Sequence, residues 1–313
     1  MIQLIILHAL FASTFSLGKV LLQYATPIFL VGIRMGIAGS LLLAYHYFST
    51  GSMGTIRFKH WRLYAQAVLF TCYLPYILRF WGLQHMSPSK ASLLYTAGPF
   101  VTFLLSYFLA DEKVTTKKVV GLLVGFIGLL PMLIKPEPTE NLLGGFGFFS
   151  MAEFYVIASI SCLSYGWIIT HKLLKEYKYP PTLANGISMF AGGILALFTS
   201  AIFETPQPIT DMKSFLMILA IVVIVSNLIC HTMYGMLLRK YSPTFMSFAG
   251  FMTPLFAAFY EWLLLDAAIS RQFFVSVVCV FIGLGIFYYD SFAHPRKTLT
   301  PSEQIDTAEE MEW

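Results

Sequence analysis

The sequence predicts an all-α polytopic membrane protein with ten transmembrane helices, arranged as two inverted five-helix repeats. Three observations lead to this fold class. The chain of 313 residues is 57% hydrophobic and 12% charged, with a mean hydropathy of +0.72, a balance that a water-soluble domain does not show. Similar residues recur 155 positions apart, so the chain contains two copies of one unit. Basic residues concentrate in alternate loops, as expected if the copies enter the membrane from opposite sides.

Apolar blocks long enough to cross a bilayer, about 20 residues each, divide the chain into ten predicted spans. Their expected bounds are 2–22, 28–48, 62–84, 88–110, 115–134, 150–172, 182–203, 213–237, 243–265 and 270–289. The first block has no basic start and no small-residue cleavage site, and it contains Lys19. We therefore interpret it as a membrane span and not as a signal peptide.

The duplication is visible as residues that match between the copies. At a spacing of 155, Ser87, Pro88, Pro99 and Asp111 recur as Ser242, Pro243, Pro254 and Asp266, and Phe-Ile-Gly-Leu at 126–129 recurs at 281–284. At a spacing of 154, Gly32 and Gly39 recur as Gly186 and Gly193. A doubled set of membrane helices is typical of secondary transporters, whose site lies between the halves. We expect the repeats at 1–141 and 142–290.

The loop charges predict the orientation. If all ten spans cross, 13 of the 20 Lys and Arg residues fall in loops on the side of the N-terminus, four fall on the other side, and Lys19, Arg34 and Arg79 fall inside spans. The positive-inside rule makes the first side cytoplasmic and puts both termini there. Because five is odd, the second copy enters from the opposite side. The net charge of +4 reflects this orientation, and we expect no nucleic-acid partner.

Other regions exclude several classes of site. Residues 291–313 lose the apolar pattern and collect five acidic residues, so we expect a disordered acidic cytoplasmic tail. The four cysteines lie within spans at unmatched positions, which favours packing over a disulfide. The seven histidines lack metal-ligand spacing, and no nucleotide-binding or nucleophile motif is present. We expect no metal, no cofactor and no catalytic residues.

Matching polar stripes mark spans four and nine. Steps of three and four residues place five side chains of span four on one helical face: Ser92, Tyr95, Pro99, Thr102 and Ser106. The matched stripe of span nine comprises Ser247, Gly250, Pro254, Ala257 and Glu261. We expect both stripes to line a central cavity. Each proline frees a backbone carbonyl one turn upstream and predicts a bend or a binding surface there, with a simple packing kink as the alternative.

Spans three and eight contain a second pair of stripes. Span three presents Cys72, Tyr76 and Arg79, and the matched positions of span eight hold Asn227, His231 and Tyr234. For His231 a hydrogen-bonded packing role is the alternative to ligand binding or proton relay. Five aromatic residues are able to stack a planar ligand or to form interface belts: Tyr24, Trp81, Tyr95, Trp167 and Trp262. For Trp81 and Trp262 we favour belts.

Four charged residues lie about 4–6 residues from the outer ends of their spans, or ~6–9 Å deep: Lys19, Arg34, Arg79 and Glu261. Charges inside a membrane are costly unless paired or wetted, so they are candidates for function. Lys19 and Arg79 are close enough to the interface to snorkel. For Glu261 we favour a cavity role over a structural ion pair. Three cations and one carboxylate suit a zwitterion or an organic acid better than a lipophilic cation.

One long stretch resembles a known family. It runs Arg-Phe-Trp-Gly-Leu-Gln-His-Met-Ser-Pro-Ser-Lys-Ala at 79–91, then Pro99, Ala-Asp-Glu-Lys at 110–113 and Gly-Leu-Leu-Val-Gly-Phe-Ile-Gly at 121–128. Over residues 2–289 the chain resembles the EamA-type carriers of the drug/metabolite transporter superfamily. The resemblance implies ten helices in two inverted repeats, a central cavity and alternating access. In the second copy the position of the family acid Glu112 holds Ala267, with Asp266 one residue earlier.

Together these features predict a secondary active or exchange transporter in the cytoplasmic (inner) membrane of a bacterium. We favour an amino acid or an amino-acid-like zwitterion as substrate, with S-adenosylmethionine as one candidate. A multidrug or nucleotide-sugar-type carrier of the same superfamily is the alternative, and a membrane-embedded enzyme or scaffold is a remote one. Expected partners are the substrate and membrane lipid, and a homodimer stays open. Proton coupling through Glu261 or His231, exchange and facilitated diffusion all stay open as well.

Overall fold

The computed structural model describes residues 2–52, 58–86, 91–92, 94–109, 115–133, 145–146, 149–205, 208–265 and 271–293. These residues are almost entirely helical. Between the two halves of the chain, the short strands Gly145–Phe146 and Phe149–Ser150 pair antiparallel. The last helix extends to Ala293, past the predicted end of span ten. The rest of the predicted acidic tail, from residue 294 onward, lies outside the described residues.

We number the helices in chain order. They are α1 (Ile2–Leu21), α2 (Pro27–Thr50), α3 (61–84), α4 (Tyr95–Leu109), α5 (Thr116–Leu133), α6 (Met151–Glu176), α7 (Pro181–Phe203), α8 (Met212–Leu238), α9 (Pro243–Ala249 and Met252–Leu265) and α10 (Arg271–Ala293). Within the described part of the chain, α1, α2, α6, α7 and α8 are each long and apolar enough to cross a membrane. The chain is therefore an integral membrane protein built from helices.

Local sequence signals define several helix ends. α2 begins with Pro27, whose missing N–H costs nothing in the first turn, and is capped after Thr50 by Gly51, which has a left-handed φ of 68°. α6 begins with a capping box in which Ser150 and Glu153 exchange hydrogen bonds between side chain and backbone. At the start of α9, the hydroxyl of Ser242 accepts a hydrogen bond from the backbone N–H of Phe245 at 3.2 Å. The matched Ser-Pro pair at 87–88 lies outside the described residues.

Matched glycines bring α2 and α7 together in an antiparallel pair. A Cβ atom on Gly39 would lie 2.6 Å from the Cα atom of Phe190, and one on Gly193 would lie 2.7 Å from the Cα atom of Gly36. Toward the start of α2, Gly32 faces Leu197 near the end of α7. Only glycine permits such close backbone contact, which supplies the van der Waals attraction between helices in a membrane. The glycines that match between the copies thus form the contact between matching helices.

The matching helices α5 and α10 pack in the same way. A Cβ atom on Gly121 would lie 2.7 Å from the carbonyl oxygen of Gly283, and one on Gly283 would lie 2.6 Å from that of Gly121. Further along, Gly128 faces Cys279, so the two helices run antiparallel. Two pairs of matching helices therefore meet directly across the boundary between the halves.

Several other interhelical contacts repeat when the two halves are exchanged. α3 packs against α6, and α1 packs against α8; likewise α4 packs against α6, and α9 packs against α1. α4 also packs against its own match, α9. As a result α1, α3, α4, α6, α8 and α9 surround the centre of the molecule. The pairs α2–α7 and α5–α10 lie outside this group.

Several helices contain irregular turns that apolar periodicity does not predict. α3 includes a π-helical segment at Val68–Tyr73, and α8 includes one at Val223–Cys230, which starts at the matching position of the second copy. A third lies at Lys172–Glu176, at the end of α6. A π turn inserts one extra residue into the hydrogen-bond ladder, and such turns are frequent at functional sites. The segment in α8 ends directly before His231, and the segment in α3 ends three residues before Tyr76.

Each of the paired prolines lies one turn after a distorted segment. α4 opens with a 3₁₀ turn at Tyr95–Ala97, and α9 is interrupted at residues 250–251, whereas span nine is predicted to be continuous. Proline has no N–H, and its ring clashes with the carbonyl four residues earlier. For Pro99 and Pro254 those carbonyls belong to Tyr95 and Gly250. Both carbonyls instead accept a hydrogen bond from the backbone N–H three residues later. Gly98 donates to Tyr95, and Thr253 donates to Gly250 at 2.9 Å.

Candidate functional site

A cavity lies between the two halves at the centre of the helix bundle. It contains about 750 Å³ of empty space, part of it open to solvent. Side chains from six helices line it: α1, α3 and α4 of the first half, and α6, α8 and α9 of the second. These are three matching pairs. The cavity is thus shared between the repeats, as expected for a site around which two halves move.

Aromatic rings from both halves form much of the cavity wall. The rings of Trp167 and Tyr234 lie 4.1 Å apart, centroid to centroid, at an angle of 30°. Phe11 approaches Tyr234 edge-on at 6.2 Å. On the first half, Phe15 packs edge-on against Tyr95 at 5.3 Å. Such faces bind planar groups by stacking and bind organic cations through the π quadrupole.

Tyr76 and His231, which occupy matching positions in the two copies, hydrogen-bond directly to each other through the Tyr76 hydroxyl and His231 Nε2. The axis that relates the halves therefore passes between these two side chains. Asn185 Nδ2 donates to the backbone carbonyl of His231 at 2.9 Å and holds this turn of α8 against α7. Within the described residues, Nδ1 of His231 has no hydrogen-bond partner.

Hydroxyl groups connect the helices around the cavity. The Thr102 hydroxyl of α4 lies 2.9 Å from that of Ser164 in α6 and 3.1 Å from that of Ser247 in α9. The hydroxyls of Tyr95 and Ser159 are 2.8 Å apart. On the other side of the cavity, His8 Nδ1 lies 3.1 Å from the hydroxyl of Thr253. Hydroxyls donate and accept, so they are able to bind polar groups of different chemistry.

Two buried guanidinium groups flank Tyr76. The Cζ atom of Arg34 lies 4.7 Å from the centre of the Tyr76 ring, and that of Arg79 lies 5.1 Å from it. Arg34 is fully buried and Arg79 is 5% exposed. Arg79 lines the cavity, whereas Arg34 lies behind Tyr76, where its Nη2 donates to the Ser226 hydroxyl at 3.2 Å. Among the described residues, Nε and Nη1 of Arg34 and Nε and Nη2 of Arg79 have no hydrogen-bond acceptor.

The structure brings about half of the sequence-predicted site residues to the cavity surface. Those that line it are Tyr76, Arg79, Tyr95, Thr102, His231, Tyr234, Ser247 and Gly250. Those that are buried but do not line it are Arg34, Asn227, Ser92, Ser106, Pro99 and Pro254. Asn227 is fully buried, and its Nδ2 is 3.0 Å from the sulfur of Met35. The buried hydroxyl of Ser106 has no partner within the described residues.

Lys19 lies elsewhere. Its Nζ atom donates to the carbonyl oxygens of Leu83 at 2.6 Å, Gln84 at 2.9 Å and Met86 at 3.0 Å. These carbonyls belong to the last turn of α3 and the residues after it, where a cation is favourable because of the helix dipole. Lys19 therefore joins α1 to the end of α3 and is not among the residues that line the cavity.

Glu261, the predicted intramembrane carboxylate, lies in the second part of α9. Its side chain lies outside what the structure describes, so it takes no part in the site geometry given above. Ser106, at the matched position of the first half, is fully buried.

Sequence reasoning missed the cavity residues of α1 and most of those of α6. In α1 these are His8, Phe11 and Phe15. In α6 they are Ile160, Leu163 and Ser164, while Trp167 was predicted only as one of five stacking or belt aromatics. A signal was present in α1, because the helical face through Lys19 continues upstream to Phe15, Phe11 and His8 at steps of four, four and three. In an apolar helix, aromatic residues on this face do not stand out.

Two matched sets of helices around a shared central cavity define a membrane transporter built from two repeats. The model of the EamA-like transporter family matches residues 1–134 and 150–289, and the chain belongs to this family. It is accordingly a transporter and not an enzyme.

Individual relatives agree with this class. The chain is 34% identical to the S-adenosylmethionine/S-adenosylhomocysteine transporter of Chlamydia muridarum over 93% of its own length and 92% of the relative's. It is 33% identical to the protein of the same name from Chlamydia trachomatis serovar L2, over 93% and 90%. Protein PecM of Dickeya dadantii is 26% identical over 79% and 80%. A protein of known crystal structure, 17% identical over 91% of this chain and 93% of its own, has a TM-score of 0.69 and shares the fold.

Proposed function

We propose that this transporter carries S-adenosylmethionine and S-adenosylhomocysteine across the cytoplasmic membrane of a bacterium by alternating access around the central cavity. The two chlamydial relatives with these substrates in their names match more than nine-tenths of the chain at 33–34% identity. The observation that supports the proposal most directly is the composition of the cavity wall, which combines aromatic faces, hydroxyls and a buried guanidinium.

The cavity wall fits the chemistry of these substrates group by group. S-adenosylmethionine has an adenine ring, a ribose, a sulfonium and a zwitterionic amino-acid end. The rings of Phe11, Trp167 and Tyr234 offer faces and edges for adenine, and aromatic faces also attract a sulfonium. The hydroxyls of Thr102, Ser164 and Ser247 offer hydrogen bonds to the ribose.

We further propose exchange of one substrate for the other. Methyl transfer converts S-adenosylmethionine into S-adenosylhomocysteine, so the two differ by one methyl group and one charge and share every other group that the cavity recognises. A cavity that binds both would return the spent product as it imports the donor. Exchange requires no separate coupling ion, because the protein reorients with one substrate bound in each direction.

A multidrug carrier for lipophilic cations fits the site less well. The guanidiniums of Arg34 and Arg79 lie within about 5 Å of the Tyr76 ring centre and have no acid partner among the described side chains. Their positive charge opposes the entry of a cation that has no anionic group of its own. A zwitterion avoids this penalty because its carboxylate compensates the positive charge.

The proposed topology has ten transmembrane helices in inverted repeats at 1–141 and 142–290, with both termini in the cytoplasm. The antiparallel packing of α2 on α7 and of α5 on α10 supports inversion, because matching helices run in opposite directions across the membrane only if the repeats are inverted. The excess of basic residues in alternate loops supports the orientation.

Uptake into proteoliposomes tests the function. Vesicles loaded with S-adenosylhomocysteine should accumulate labelled S-adenosylmethionine severalfold faster than empty vesicles, and excess unlabelled S-adenosylhomocysteine outside should block the uptake. Adenosine, nucleotide sugars and tetraphenylphosphonium should block it weakly. Uptake that only tetraphenylphosphonium or a nucleotide sugar inhibits would contradict the proposal.

A matched pair of variants connects this activity to the cavity. Trp167→Ala removes a ring from the cavity wall and should raise the KM for S-adenosylmethionine about tenfold, in line with the ~1–3 kcal/mol that base stacking on an aromatic side chain contributes. Trp61→Ala removes a tryptophan that is 51% exposed at the start of α3 and should leave KM unchanged. Equal KM values for both variants would place the adenosyl group elsewhere.

A further inference from the structure

We infer that Arg79 forms the carboxylate-binding subsite of the cavity and that Arg34 positions it from behind the Tyr76 ring. The inference rests on the proposed function, since it takes the substrate to be an amino-acid-like zwitterion. It adds the orientation of that substrate. The carboxylate faces Arg79, and the adenosyl group faces the opposite end of the cavity, at Trp167 and Tyr234.

The first support is the state of the Arg79 side chain. It is 5% exposed, it lines the cavity, and its Nε and Nη2 atoms have no acceptor within the described part of the chain. A buried cation without hydrogen-bond acceptors is strongly unfavourable, and buried charges in proteins are normally paired. The described partner of this guanidinium is one uncharged hydroxyl, that of Tyr95, so a ligand on the cavity wall that supplies the remaining acceptors explains its burial.

The second support is the neighbouring charge. Arg34 is fully buried, its Nε and Nη1 also lack acceptors among the described residues, and its Nη2 donates to an uncharged hydroxyl, that of Ser226. Both guanidiniums lie against the Tyr76 ring, and each also contacts Phe80, at 5.5 Å for Arg34 and 5.7 Å for Arg79. Contacts with ring faces do not remove the repulsion between two like charges. The pair produces a positive potential that favours an anionic group beside Arg79.

The geometry separates the roles of the two arginines. Arg79 lines the cavity, and its Nε and Nη2 are buried without an acceptor among the described residues; these two nitrogens form the fork that suits bidentate binding of a carboxylate. Arg34 does not line the cavity, so it acts through Tyr76. We therefore treat Arg79 as a binding residue and Arg34 as a positioning residue.

A chain of side-chain contacts places the two ends of the substrate. Arg79 contacts Tyr76, the Tyr76 and His231 rings lie 5.8 Å apart, and the His231 and Trp167 rings lie 5.4 Å apart. Arg79 and the Trp167–Tyr234 pair are thus at opposite ends of this row. A molecule with a carboxylate at one end and a planar base at the other fits the row in one direction only.

The subsite makes a clear prediction about ligand preference. S-adenosylmethionine and S-adenosylhomocysteine share the carboxylate, so Arg79 should not discriminate between them. Decarboxylated S-adenosylmethionine keeps the adenosyl group, the sulfonium and the amine but lacks the carboxylate. It should compete at least tenfold more weakly for uptake by the unmodified protein.

The test compares competition by these three compounds in proteoliposomes that contain the unmodified protein, Arg79→Gln or Arg79→Lys. Arg79→Gln should weaken competition by S-adenosylmethionine and by S-adenosylhomocysteine at least tenfold and leave competition by the decarboxylated compound nearly unchanged. The variant should therefore lose the preference for compounds that have a carboxylate. Arg79→Lys keeps the charge but loses the fork geometry, and it should give an intermediate result. An undiminished preference for the carboxylate in Arg79→Gln would overturn the inference.

Arg62→Gln provides the matched control. Arg62 is exposed on α3, with its Cζ atom 5.7 Å from the Trp61 ring, so the change removes a guanidinium from an aromatic face outside the cavity. Arg62→Gln should leave competition by all three compounds unchanged. A loss of the preference in Arg62→Gln as well would show that the effect comes from net charge and would contradict a local subsite.

Arg34→Gln tests the positioning role. If Arg34 acts through Tyr76 on Arg79, the variant should weaken competition by the two carboxylate compounds, by a smaller factor than Arg79→Gln does. Competition by the decarboxylated compound should not change. Equal weakening of all three compounds would make Arg34 a structural residue only.

The subsite and the proposed function can fail separately. If the protein transports neither adenosyl compound, the proposed function is wrong. Thermal stabilisation by methionine relative to its decarboxylated analogue, in the unmodified protein and in Arg79→Gln, then still tests the subsite. A preference for methionine that disappears in Arg79→Gln supports the subsite, and stabilisation by both compounds alike overturns it.

Discussion

Tyr76 and His231 show how a single pair of residues joins the two repeats. They lie at matching positions 155 residues apart, and they hydrogen-bond to each other. In a movement of one half against the other, this contact would lie near the axis between them, where displacements are smallest. Tyr76 has a second function through its ring, since both buried guanidiniums lie against it. Hydroxyl and ring are therefore separable by mutation.

Tyr76→Phe removes the hydroxyl and keeps the ring. The variant leaves Nε2 of His231 without its partner, and we expect a loss of about 1–3 kcal/mol in the free energy of unfolding together with slower transport. The preference for carboxylate substrates should persist, because the ring contacts remain. Thermal unfolding and initial uptake rates check this.

Tyr73→Phe is the matched control. It removes a hydroxyl that is 2.7 Å from that of Thr199, away from the cavity, and should lower stability without changing KM. If Tyr76→Phe has the stability and transport rate of the unmodified protein, the hydrogen bond between Tyr76 and His231 contributes to neither stability nor transport.

Lys19 illustrates a charged residue whose partner is the backbone. Its ammonium donates to three carbonyl oxygens near the end of α3. We expect Lys19→Met to lower the free energy of unfolding by about 1–3 kcal/mol, the range for hydrogen bonds to charged groups, and to leave the KM for substrate unchanged. Thermal unfolding in detergent and uptake kinetics measure the two quantities. A raised KM with unchanged stability would indicate that Lys19 contributes to substrate binding.

At the scale of helices, the matched irregular segments shape the cavity. The π-helical segments of α3 and α8 start at matching positions, and the distorted turns of α4 and α9 both precede a matched proline. Tyr95 and Gly250, in the distorted turns, line the cavity. Irregular backbone is tolerated at membrane depth only where protein or a polar cavity satisfies it, so its location agrees with a central polar site.

The α2–α7 pair offers a direct test of helix packing. A Cβ atom on Gly39 would clash with the backbone of Phe190, whereas one on Gly36, in the same helix, would meet no atom within 4 Å. Gly39→Ala should therefore lower the free energy of unfolding by about 1–3 kcal/mol through overpacking. Gly36→Ala should be neutral or slightly stabilising, because alanine favours the helix.

Thermal midpoints of the two variants, measured in the same detergent, provide the comparison. Equal midpoints would mean that α2 and α7 are not in backbone contact. Uptake by Gly39→Ala should fall with the amount of folded protein and keep the KM of the unmodified protein, because neither α2 nor α7 lines the cavity.

At the scale of the whole molecule, three matching pairs of helices surround the cavity and two matching pairs pack antiparallel beside them. Every helix that lines the cavity has a counterpart in the other half that also lines it. In the proposed mechanism of alternating access, the halves move relative to each other and matched contacts exchange roles.

Inversion of the repeats predicts opposite labelling of matching loops. Gln23 follows α1, and Tyr177 occupies the position 154 residues later, after α6; both are exposed. In a cysteine-free background, Gln23→Cys should react with a membrane-impermeant maleimide in intact cells, and Tyr177→Cys should react only after permeabilisation. Reaction of both in intact cells would contradict inverted repeats.

Much of this organisation is readable from the sequence because it is periodic. Apolar block length, the repeat spacing and the loop charges are properties of the chain itself, and they predicted a membrane transporter of two repeats before any coordinates. Helical periodicity also placed Tyr76 with Arg79, and His231 with Tyr234, on common faces, since that depends only on 3.6 residues per turn. The family match and the helical structure agree with the class.

Only the tertiary structure decided which faces meet. Lys19 shares a helical face with Phe15 and His8, yet its ammonium reaches carbonyls at the end of α3 while they line the cavity. The sequence allowed Arg79, but not Arg34, the alternative of snorkelling to the interface; packing instead places Arg79 on the cavity wall and Arg34 behind Tyr76. The reason is physical. Periodicity defines the face of a helix, whereas the rotation and depth of one helix against another depend on close packing between residues far apart in the chain.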